Sequence, residues 1–488
     1  MKQAPDLTEN PATQSAAHNT EHRYELVILA LLVCLISGSY LFLSIARGPQ
    51  QILGGSPERY ALLARSFLQG RTALPIIPRR ELLALRNPYD PVLNEPYRVQ
   101  DASLYRGRYY HYFGVTPEVT LFLPYCLLTG RDVTNGVAVP IFCILGFVSS
   151  CALFVLVARH NRWLLPFWLQ CASLVALGST SLVYLLLWRP CFYEVAIAAG
   201  YFFVMAGFLI LAWIIFKQRA TMGWLFLDGL LFGASVGCRP HLVLICGIVL
   251  IAVAVRWKRT PKLALAMTAG LALCGIALAW YNYARFDNPL EFGRTYQLTT
   301  FSNDPDSTFR GLEYNLEGTY RSATDFLFST PHVDSQFPFF HMVFSNPLPS
   351  HLGPAPWMEE MVGAVPACPF LLLGFAFPFV VKGRSFVKRT VLDEASIWLL
   401  YVMYWSAIAI FVLLCLVGWV LARYLPDFVP LLNFVALVLI AVLWHTISKP
   451  FTKRFFTFAM SAGTIYGAAV NLAFATPTWG SILKFLGR

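Results

Sequence analysis

The sequence predicts an all-α integral membrane protein with about eleven transmembrane helices. Of its 488 residues, 57% are hydrophobic and only 13% are charged, whereas soluble domains carry about 25% charged residues. The charged residues form short clusters, and apolar runs of about 20 residues, the length that spans a bilayer, lie between them. This alternation is typical of a chain that crosses the membrane many times.

The net charge of +11 could also indicate a nucleic-acid-binding protein. Its Lys and Arg residues, however, stand at the ends of the apolar runs and form no continuous basic stripe. We therefore expect no nucleic-acid partner. The sequence also contains no Walker loop and no GxGxxG motif, so it gives no support for nucleotide binding.

The chain divides into a polar segment, 1–23, and one membrane domain, 24–488. The polar segment predicts a disordered cytoplasmic tail. The first apolar run is too long for a signal-peptide core and lacks a suitable cleavage site, so it predicts a permanent span. Spans are predicted near residues 24–46, 136–158, 163–188, 193–216, 222–237, 241–255, 263–283, 361–381, 395–419, 428–447 and 455–475. The two spans that flank Arg239 are short, and we expect a re-entrant-like pair or two short, tilted spans.

Basic residues concentrate in alternate short loops, and this pattern predicts the orientation of the chain. The rich loops lie near residues 159–162, 217–219, 256–262, 382–389 and 449–454. The alternate short loops hold one Arg each, and these are Arg131, Arg189, Arg239 and Arg423. Because cytoplasmic loops carry the excess of Lys and Arg, we expect the N-terminus inside and the C-terminus outside.

Two long loops are then expected on the outer side, residues 47–135 (loop one) and 284–360 (loop two). Loop one contains a predicted amphipathic helix over residues 57–68. Its apolar face comprises Tyr60, Leu63 and Phe67, with Arg59 and Arg65 elsewhere.

A second apolar run of loop one, residues 113–128, is interrupted by Pro117 and Pro124. A further span here would invert every later loop and place the basic clusters outside. We therefore expect this run to form a helix at the membrane interface.

The predicted outer face gathers polar side chains that could serve a substrate. Loop one provides Glu58, Glu81, Asp90, Glu95, Asp101 and His111. The other outer loops add Arg189 with Glu194, Arg239 with His241, Arg423 with Asp427, and Arg285. Charges at membrane level are costly, so they pair with one another or mark a substrate path. For Arg239, Arg285 and Arg423, a phosphate-binding role and a structural ion pair both stay open.

Several segments resemble the C-type glycosyltransferases, the multispanning enzymes that use polyprenyl-phosphate sugars and include the protein mannosyltransferase and aminoarabinose transferase groups. The stretch PERYALLARSFLQG at 57–70 resembles the family's first outer-loop helix, and GVTPEVTLFLPYCLLTG at 114–130 resembles its second interface helix. Three further segments resemble bacterial members of unassigned substrate. They are GRYYHYFG at 107–114, YNYARFDNPLEFGRTYQL at 281–298 and ARYLPDFVPLL at 422–432.

The family places a catalytic Asp just before the first loop helix, where this chain reads Gly55-Ser56-Pro57-Glu58. That aspartate is missing. The resemblance therefore implies Glu58 or Asp101 as the catalytic carboxylate, and a degenerate, inactive relative stays an alternative.

The resemblance implies glycosyl transfer with inversion on the periplasmic face of a bacterial inner membrane. A carboxylate takes the proton from an acceptor hydroxyl of a glycan, lipid or protein, and arginines stabilise the lipid phosphate that leaves. The implied substrate-binding residues are Arg189, Arg239, Arg285, Arg423, Tyr110 and His111. A divalent cation stays an open possibility, although no ligand spacing predicts a metal site.

Two interpretations also stay open for the aromatic and histidine side chains of the outer loops. Either the aromatic residues stack on a sugar or they anchor the protein at the head groups, and they are Tyr105, Tyr109, Tyr110, Tyr112 and Trp357. His111 is a metal ligand or acid, or simply a surface histidine. A transporter or lipid flippase is the alternative function, but such proteins usually carry charges near mid-bilayer, which are scarce here.

Overall fold

The computed structural model describes residues 11–46, 58–112, 114–300, 316–333, 335, 339–345, 359–382, 391–417 and 420–476. Within these ranges the chain is mostly helical. Seven helices are long and apolar enough to cross a membrane, so the protein is a helical membrane protein, as its composition predicts.

The first part of the chain contains one long helix followed by the short elements of loop one. They are α1 (Pro11–Ala46), α2 (Arg59–Leu68), α3 (Arg80–Leu83), α4 (Pro91–Asn94), β1 (Ala102–Tyr105), β2 (Arg108–His111), a π-helical turn (Glu118–Phe122) and α5 (Leu123–Thr129). Helix α1 begins inside the predicted tail, and residues 1–10 lie outside the described ranges.

The middle of the chain is almost entirely helical. It forms α6 (Asn135–His160), α7 (Phe167–Ser179), α8 (Tyr184–Trp188), α9 (Phe192–Phe216), α10 (Met222–Val236), a 3-10 turn (Pro240–Leu242), α11 (Val243–Arg256) and α12 (Pro261–Phe286).

The last part begins with short elements of loop two and ends with three long helices. The elements are α13 (Leu316–Phe328), β3 (His332–Val333), β4 (Phe340–His341), β5 (Val343–Ser345), β6 (Glu359–Met361), α14 (Ala364–Ala367), α15 (Leu371–Phe375), α16 (Phe377–Lys382), α17 (Glu394–Val417), a 3-10 turn (Ala422–Asp427), α18 (Val429–Thr446) and α19 (Pro450–Ala475).

Seven of the predicted spans correspond to the long apolar helices, which are α1, α6, α9, α12, α17, α18 and α19. The other four predicted spans do not correspond to single long helices. The interval 163–188 holds α7 and α8, and the intervals 222–237 and 241–255 hold α10 and α11, of 15 and 14 residues. The interval 361–381 is divided among α14, α15 and α16. The total of about eleven spans stays a prediction.

A buried asparagine joins α18 to the break between α7 and α8. The Asn433 amide of α18 donates to the Ala176 carbonyl (3.3 Å) and to the hydroxyls of Thr180 (3.1 Å) and Ser181 (3.0 Å). Leu182, just after them, has a φ of 60°. The Ala176 carbonyl also accepts from the Thr180 backbone amide (2.9 Å) and hydroxyl (2.8 Å), so Asn433 adds a buried contact between α18 and the α7–α8 break.

The helix ends form two separate clusters of contacts. At the basic face, named for its Lys- and Arg-rich loops, the His160 imidazole lies 2.7 Å from the Asp393 carboxylate, and the Trp163 indole donates to the Val391 carbonyl (2.9 Å). At the opposite end, the loop face, the Arg239 guanidinium lies 3.0 Å from the Asp427 carboxylate. The helix ends that the charge pattern separates are thus separate in the fold, and the orientation of the faces across the membrane stays a prediction.

Loop one and the start of loop two form one unit at the loop face. Strands β1 and β2 pair as an antiparallel hairpin, and residues 296–298 extend it, since the Leu104 amide donates to the Tyr296 carbonyl (2.8 Å) and the Leu298 amide to the Ala102 carbonyl (2.9 Å). A small apolar core lies beneath, and its buried members are Leu63, Leu74, Leu82, Ala102, Leu104, Tyr109 and Leu298. The predicted helix over 57–68 is confirmed as α2, which contributes Leu63 to this core.

The interface run 113–128 is anchored to the turn between α10 and α11. The Thr116 amide donates to the Gly237 carbonyl (3.1 Å), and a Cβ on Gly114 would lie only 1.8 Å from that carbonyl oxygen. Only glycine at position 114 permits so close an approach. The run forms the π-helical turn and α5, which are too short to cross a membrane. Phe113 lies outside the described residues.

Candidate functional site

Asp101 lies at the junction of loop one, loop two and α9. Its backbone amide donates to the Leu298 carbonyl (2.7 Å). Its carboxylate accepts hydrogen bonds from the Tyr193 hydroxyl, from the Gln297 amide (3.1 Å) and from the Gln100 amide (3.3 Å). The residue is 9% exposed and has a φ of 57°, a left-handed conformation that Asp tolerates better than most residues. Three side chains therefore orient one carboxylate at the loop face.

Arg59 fixes the main chain beside Asp101. The guanidinium donates to the Asp101 carbonyl (2.9 Å) and to the Gln100 carbonyl, and it stacks 4.2 Å from the centre of the Phe192 ring. The prediction that Arg59 lies away from the buried face of its helix is wrong, because its side chain is fully buried. Carbonyl oxygens and an aromatic ring compensate the cost of burying this charge.

Glu58, the other predicted catalytic carboxylate, has a different role in the fold. Its carboxylate accepts a hydrogen bond from the backbone amide of Asn135 (2.7 Å), in the first turn of α6. The first amides of a helix lack partners within it, so this contact stabilises the start of a long helix. Partial burial raises the pKa of Glu58. The geometry thus favours Asp101 over Glu58 as the carboxylate available to a substrate.

Arg423 and Asp101 contact the same tyrosine, Tyr193. The Arg423 guanidinium carbon is 4.5 Å from the centre of the Tyr193 ring, whose hydroxyl contacts Asp101. Arg423 also lines a small cleft together with Arg189, and the remaining lining residues are Leu185, Trp188, Glu194, Met342 and Ala422. Two predicted phosphate-binding arginines therefore share one cleft.

Arg239 and Arg285 are held by other residues of the protein. The Arg239 guanidinium pairs with Asp427 (3.0 Å), which also contacts the His241 imidazole (3.1 Å), and it stacks 4.8 Å from the Tyr424 ring. The Arg285 guanidinium donates to the His111 carbonyl (2.5 Å) and to the Asn282 amide oxygen (2.6 Å). These contacts support the structural alternative for Arg239 and Arg285.

His111 and Tyr110 are buried in strand β2. The interpretation of His111 as a surface histidine is wrong, because its side chain is fully buried between α2 and α9, with its ring 4.5 Å from the Tyr60 ring and 6.0 Å from the Phe192 ring. Burial, together with the charges of Arg59 and Arg285, lowers the pKa of His111 well below its usual value. Tyr110 packs edge-on against Phe286, with ring centres 5.4 Å apart, so neither side chain faces the Asp101 carboxylate as a free surface group.

The other aromatic candidates lie around the same hairpin. The Tyr105 hydroxyl donates to the Asp287 carboxylate (3.0 Å), the Tyr109 ring is part of the small apolar core, and Tyr112 is half-buried. Trp357 lies outside the described residues. Within the described ranges, no group of three or more His, Cys, Asp or Glu side chains could hold a metal ion.

Three residues of this region do not stand out in the sequence. Tyr193 and Gln297 hold Asp101, but both belong to segments distant from loop one. Glu118, in the π-helical turn, has both carboxylate oxygens buried with no hydrogen-bond partner among the described residues. Burial raises the pKa of Glu118 to about 9. The sequence offers one signal for Glu118, because it is a charged residue inside an otherwise apolar run.

No protein-family model matches this chain, and a search of curated proteins finds no match either. The function is therefore argued from the arrangement of Asp101, Tyr193, Gln297, Arg423 and Arg189.

Proposed function

We propose that this protein is a glycosyltransferase that moves a sugar from a polyprenyl-phosphate donor to an acceptor hydroxyl, with inversion, on the outer face of a bacterial inner membrane. One observation carries the proposal. A carboxylate oriented by three side chains, Asp101, contacts the same tyrosine as an arginine, Arg423, that lines a cleft.

Asp101 acts as the general base in this reaction. Its carboxylate takes the proton from the acceptor hydroxyl while the hydroxyl oxygen attacks the anomeric carbon of the donor sugar. The bond between that carbon and the phosphate oxygen breaks, and polyprenyl phosphate leaves with the electron pair. One carboxylate suffices, because inversion requires no covalent sugar intermediate.

Arg423 and Arg189 supply the charge that the leaving phosphate requires. A guanidinium stays protonated and can hold two phosphate oxygens at once. Both arginines line the same cleft, so a phosphate bound there would meet two cations. Interactions that strengthen as negative charge develops on the leaving group accelerate the transfer.

The location of these residues suits a lipid-linked donor. Tyr193 lies in the first turn of α9 and Arg423 in the 3-10 turn before α18, both next to long apolar helices, and Asp101 contacts Tyr193 from loop one. A donor held in the bilayer diffuses in two dimensions and presents its phosphate at that level. The acceptor is a glycan, a lipid or a protein that carries a free hydroxyl.

A transfer assay with two loop-one variants tests the proposal. The purified protein is reconstituted in nanodiscs with a panel of radiolabelled undecaprenyl-phosphate sugars and candidate acceptors, and the release of undecaprenyl phosphate is measured. We expect Asp101→Asn to lower the transfer rate by about 100-fold or more, the usual effect of losing a general base. Glu58→Gln should keep most of the rate once the yield of folded protein is taken into account.

Glu81→Gln is the matched control, because its carboxyl group is exposed in the same loop. The proposal is wrong if the wild-type protein turns over no sugar of the panel. It is equally wrong if Asp101→Asn transfers sugar at the wild-type rate.

A further inference from the structure

Two consecutive aromatic residues at the start of α9 each contact an arginine from a different part of the chain. The guanidinium of Arg59 lies 4.2 Å from the centre of the Phe192 ring, and that of Arg423 lies 4.5 Å from the centre of the Tyr193 ring. Arg59 in turn holds the Asp101 backbone, and the Tyr193 hydroxyl holds its carboxylate. The first turn of α9 therefore organises Asp101 from two sides.

Tyr193 contacts two opposite charges. Among the described residues no ion pair joins Asp101 to Arg423; the carboxylate lies at the Tyr193 hydroxyl and the guanidinium lies over the face of its ring. Opposite charges that pair in a protein interior attract strongly. If they formed an ion pair, the carboxylate would be a weaker proton acceptor and the guanidinium would be less able to bind a phosphate.

We propose that Tyr193 is a positioning residue that works as a spacer: its hydroxyl orients the Asp101 carboxylate, and its ring keeps Arg423 from pairing with that carboxylate. The assignment of roles to Asp101 and Arg423 rests on the proposed function, but the spacer geometry itself does not. Tyr193 thus contacts the base at its hydroxyl and the phosphate-binding cation at its ring face.

A double-mutant cycle in two backgrounds tests the spacer without any substrate. Asp101→Asn, Arg423→Gln and the double variant are made in the wild-type protein and in Tyr193→Ala, and the apparent Tm of each is measured in detergent. With Tyr193 in place the charges do not pair, so the double variant should depart little from the sum of the single Tm shifts, and by less than it does in Tyr193→Ala. In Tyr193→Ala the charges can meet, so the double variant should lose less Tm than the sum of the single variants predicts.

Tyr193→Phe is the matched control, since it keeps the ring and removes only the hydroxyl. Its cycle should be additive like that of the wild type. Tyr193→Ser gives a second small side chain if the alanine variant does not fold. Additive shifts in both backgrounds, or equal non-additivity in both, would overturn the spacer role.

A binding measurement with undecaprenyl phosphate separates this inference from the proposed function. The wild type and Tyr193→Phe should bind the lipid phosphate alike, whereas Tyr193→Ala and Arg423→Gln should both bind it at least about 10-fold more weakly, as for the loss of one charge-assisted contact. Wild-type affinity in Tyr193→Ala, combined with loss in Arg423→Gln, contradicts the spacer role. If the wild type does not bind the lipid phosphate, the proposed phosphate site is wrong, and the Tm cycle alone decides the role of Tyr193.

Discussion

Asp101 and Glu118 are both carboxylic acids of loop one, and their surroundings separate them chemically. Asp101 accepts three hydrogen bonds from side chains. Glu118 is fully buried, and neither of its oxygens has a hydrogen-bond partner among the described residues. Burial disfavours the charged form and raises the pKa of Glu118 to about 9. Near neutral pH, Glu118 is therefore a neutral, structural acid.

The raised pKa of Glu118 predicts a pH-dependent effect of Glu118→Gln. The unfolded chain releases this proton near pH 4.5 and the folded protein only near 9, so the wild type loses stability as pH rises through this window. Glutamine stays neutral throughout and avoids this loss. We expect the apparent Tm of Glu118→Gln, relative to wild type, to increase steadily between pH 5 and pH 9 in a thermal-shift measurement.

The control for this experiment is Glu81→Gln, whose side chain is exposed. Its Tm difference from wild type should stay nearly constant over the same range. A Tm difference for Glu118→Gln that is flat with pH would show that Glu118 is not held neutral by burial.

Individual side chains were the least predictable part of this site. An arginine in an amphipathic helix is ordinarily placed on its polar face, yet Arg59 is fully buried. Its partners are the carbonyls of residues 100 and 101 and the ring of Phe192, and these come together only in the folded chain. The pattern of one helix cannot reveal partners that another segment supplies.

At the scale of helices, two buried polar side chains illustrate opposite cases. Asn433 in α18 donates to three groups of the α7–α8 break. Asp228 in α10 is also fully buried, but its two oxygens have no hydrogen-bond partner among the described residues. A satisfied polar group stabilises a fold, whereas an unsatisfied one costs free energy.

This difference predicts opposite outcomes for two leucine substitutions. Asn433→Leu removes the buried amide that joins α18 to the α7–α8 break, together with its three hydrogen bonds, so it should destabilise the protein by about 1–3 kcal/mol. Asp228→Leu replaces an unsatisfied polar group with an apolar one and should leave stability unchanged or raise it. Both are measured as the apparent Tm and the fraction of protein that stays monodisperse after heating.

Each variant serves as the other's control, since both place the same side chain inside a helix of the bundle. Equal losses of Tm in Asn433→Leu and Asp228→Leu would contradict the assignment, because size rather than hydrogen bonding would then decide the outcome.

The long helices could be predicted from hydropathy, but the breaks between α7 and α8 and among α14, α15 and α16 could not. Thr180 and Ser181 are small and lie inside an apolar run, so the run reads as continuous. Their contact with Asn433, more than two hundred residues later, forms only in the folded chain. Hydropathy reports the environment of a segment and carries no information about such distant partners.

At the scale of the whole molecule, the alternation of basic loops correctly separates two sets of helix ends. Contacts at the basic face join residues near 160, 256 and 393, as in the stacking of Arg256 on Trp398 (5.0 Å). Contacts at the loop face join loop one to the turn between α10 and α11 and to the start of α9. This separation required only a count of Lys and Arg, since charge in short loops decides which ends lie together.

The orientation itself is testable with reporters at the two termini. If the basic face is cytoplasmic, a fluorescent protein fused to the N-terminus should mature and fluoresce in a bacterial host. Alkaline phosphatase fused to the C-terminus should be active, because that enzyme folds only outside the cytoplasm. The same phosphatase inserted after Arg259, in a basic loop, is the control and should be inactive. The reverse pattern of activities would overturn both the orientation and the outer location of the proposed site.

Only some residues of the candidate site could be predicted from the sequence, because the others depend on how distant segments meet. Asp101 was visible as a loop-one carboxylate near an aromatic segment, and Arg423 as a charge between two apolar runs. Tyr193 and Gln297 were not, because an uncharged residue at a helix end or in a long loop carries no signal of its own. Their role depends on how loop two, α9 and loop one meet.

The pairing of residues 296–298 with β1 sets an order in which the site can be completed during synthesis. Asp101 leaves the ribosome first, its Tyr193 partner follows 92 residues later, and Gln297 follows Asp101 by 196 residues. Arg423 arrives last of all. Until α12 and the start of loop two have been synthesised, the hairpin lacks residues 296–298 beside β1 and Asp101 lacks one of its donors. A chain arrested before that point would expose the edge of β1, so this edge is where quality-control proteases or chaperones would recognise an unfinished molecule.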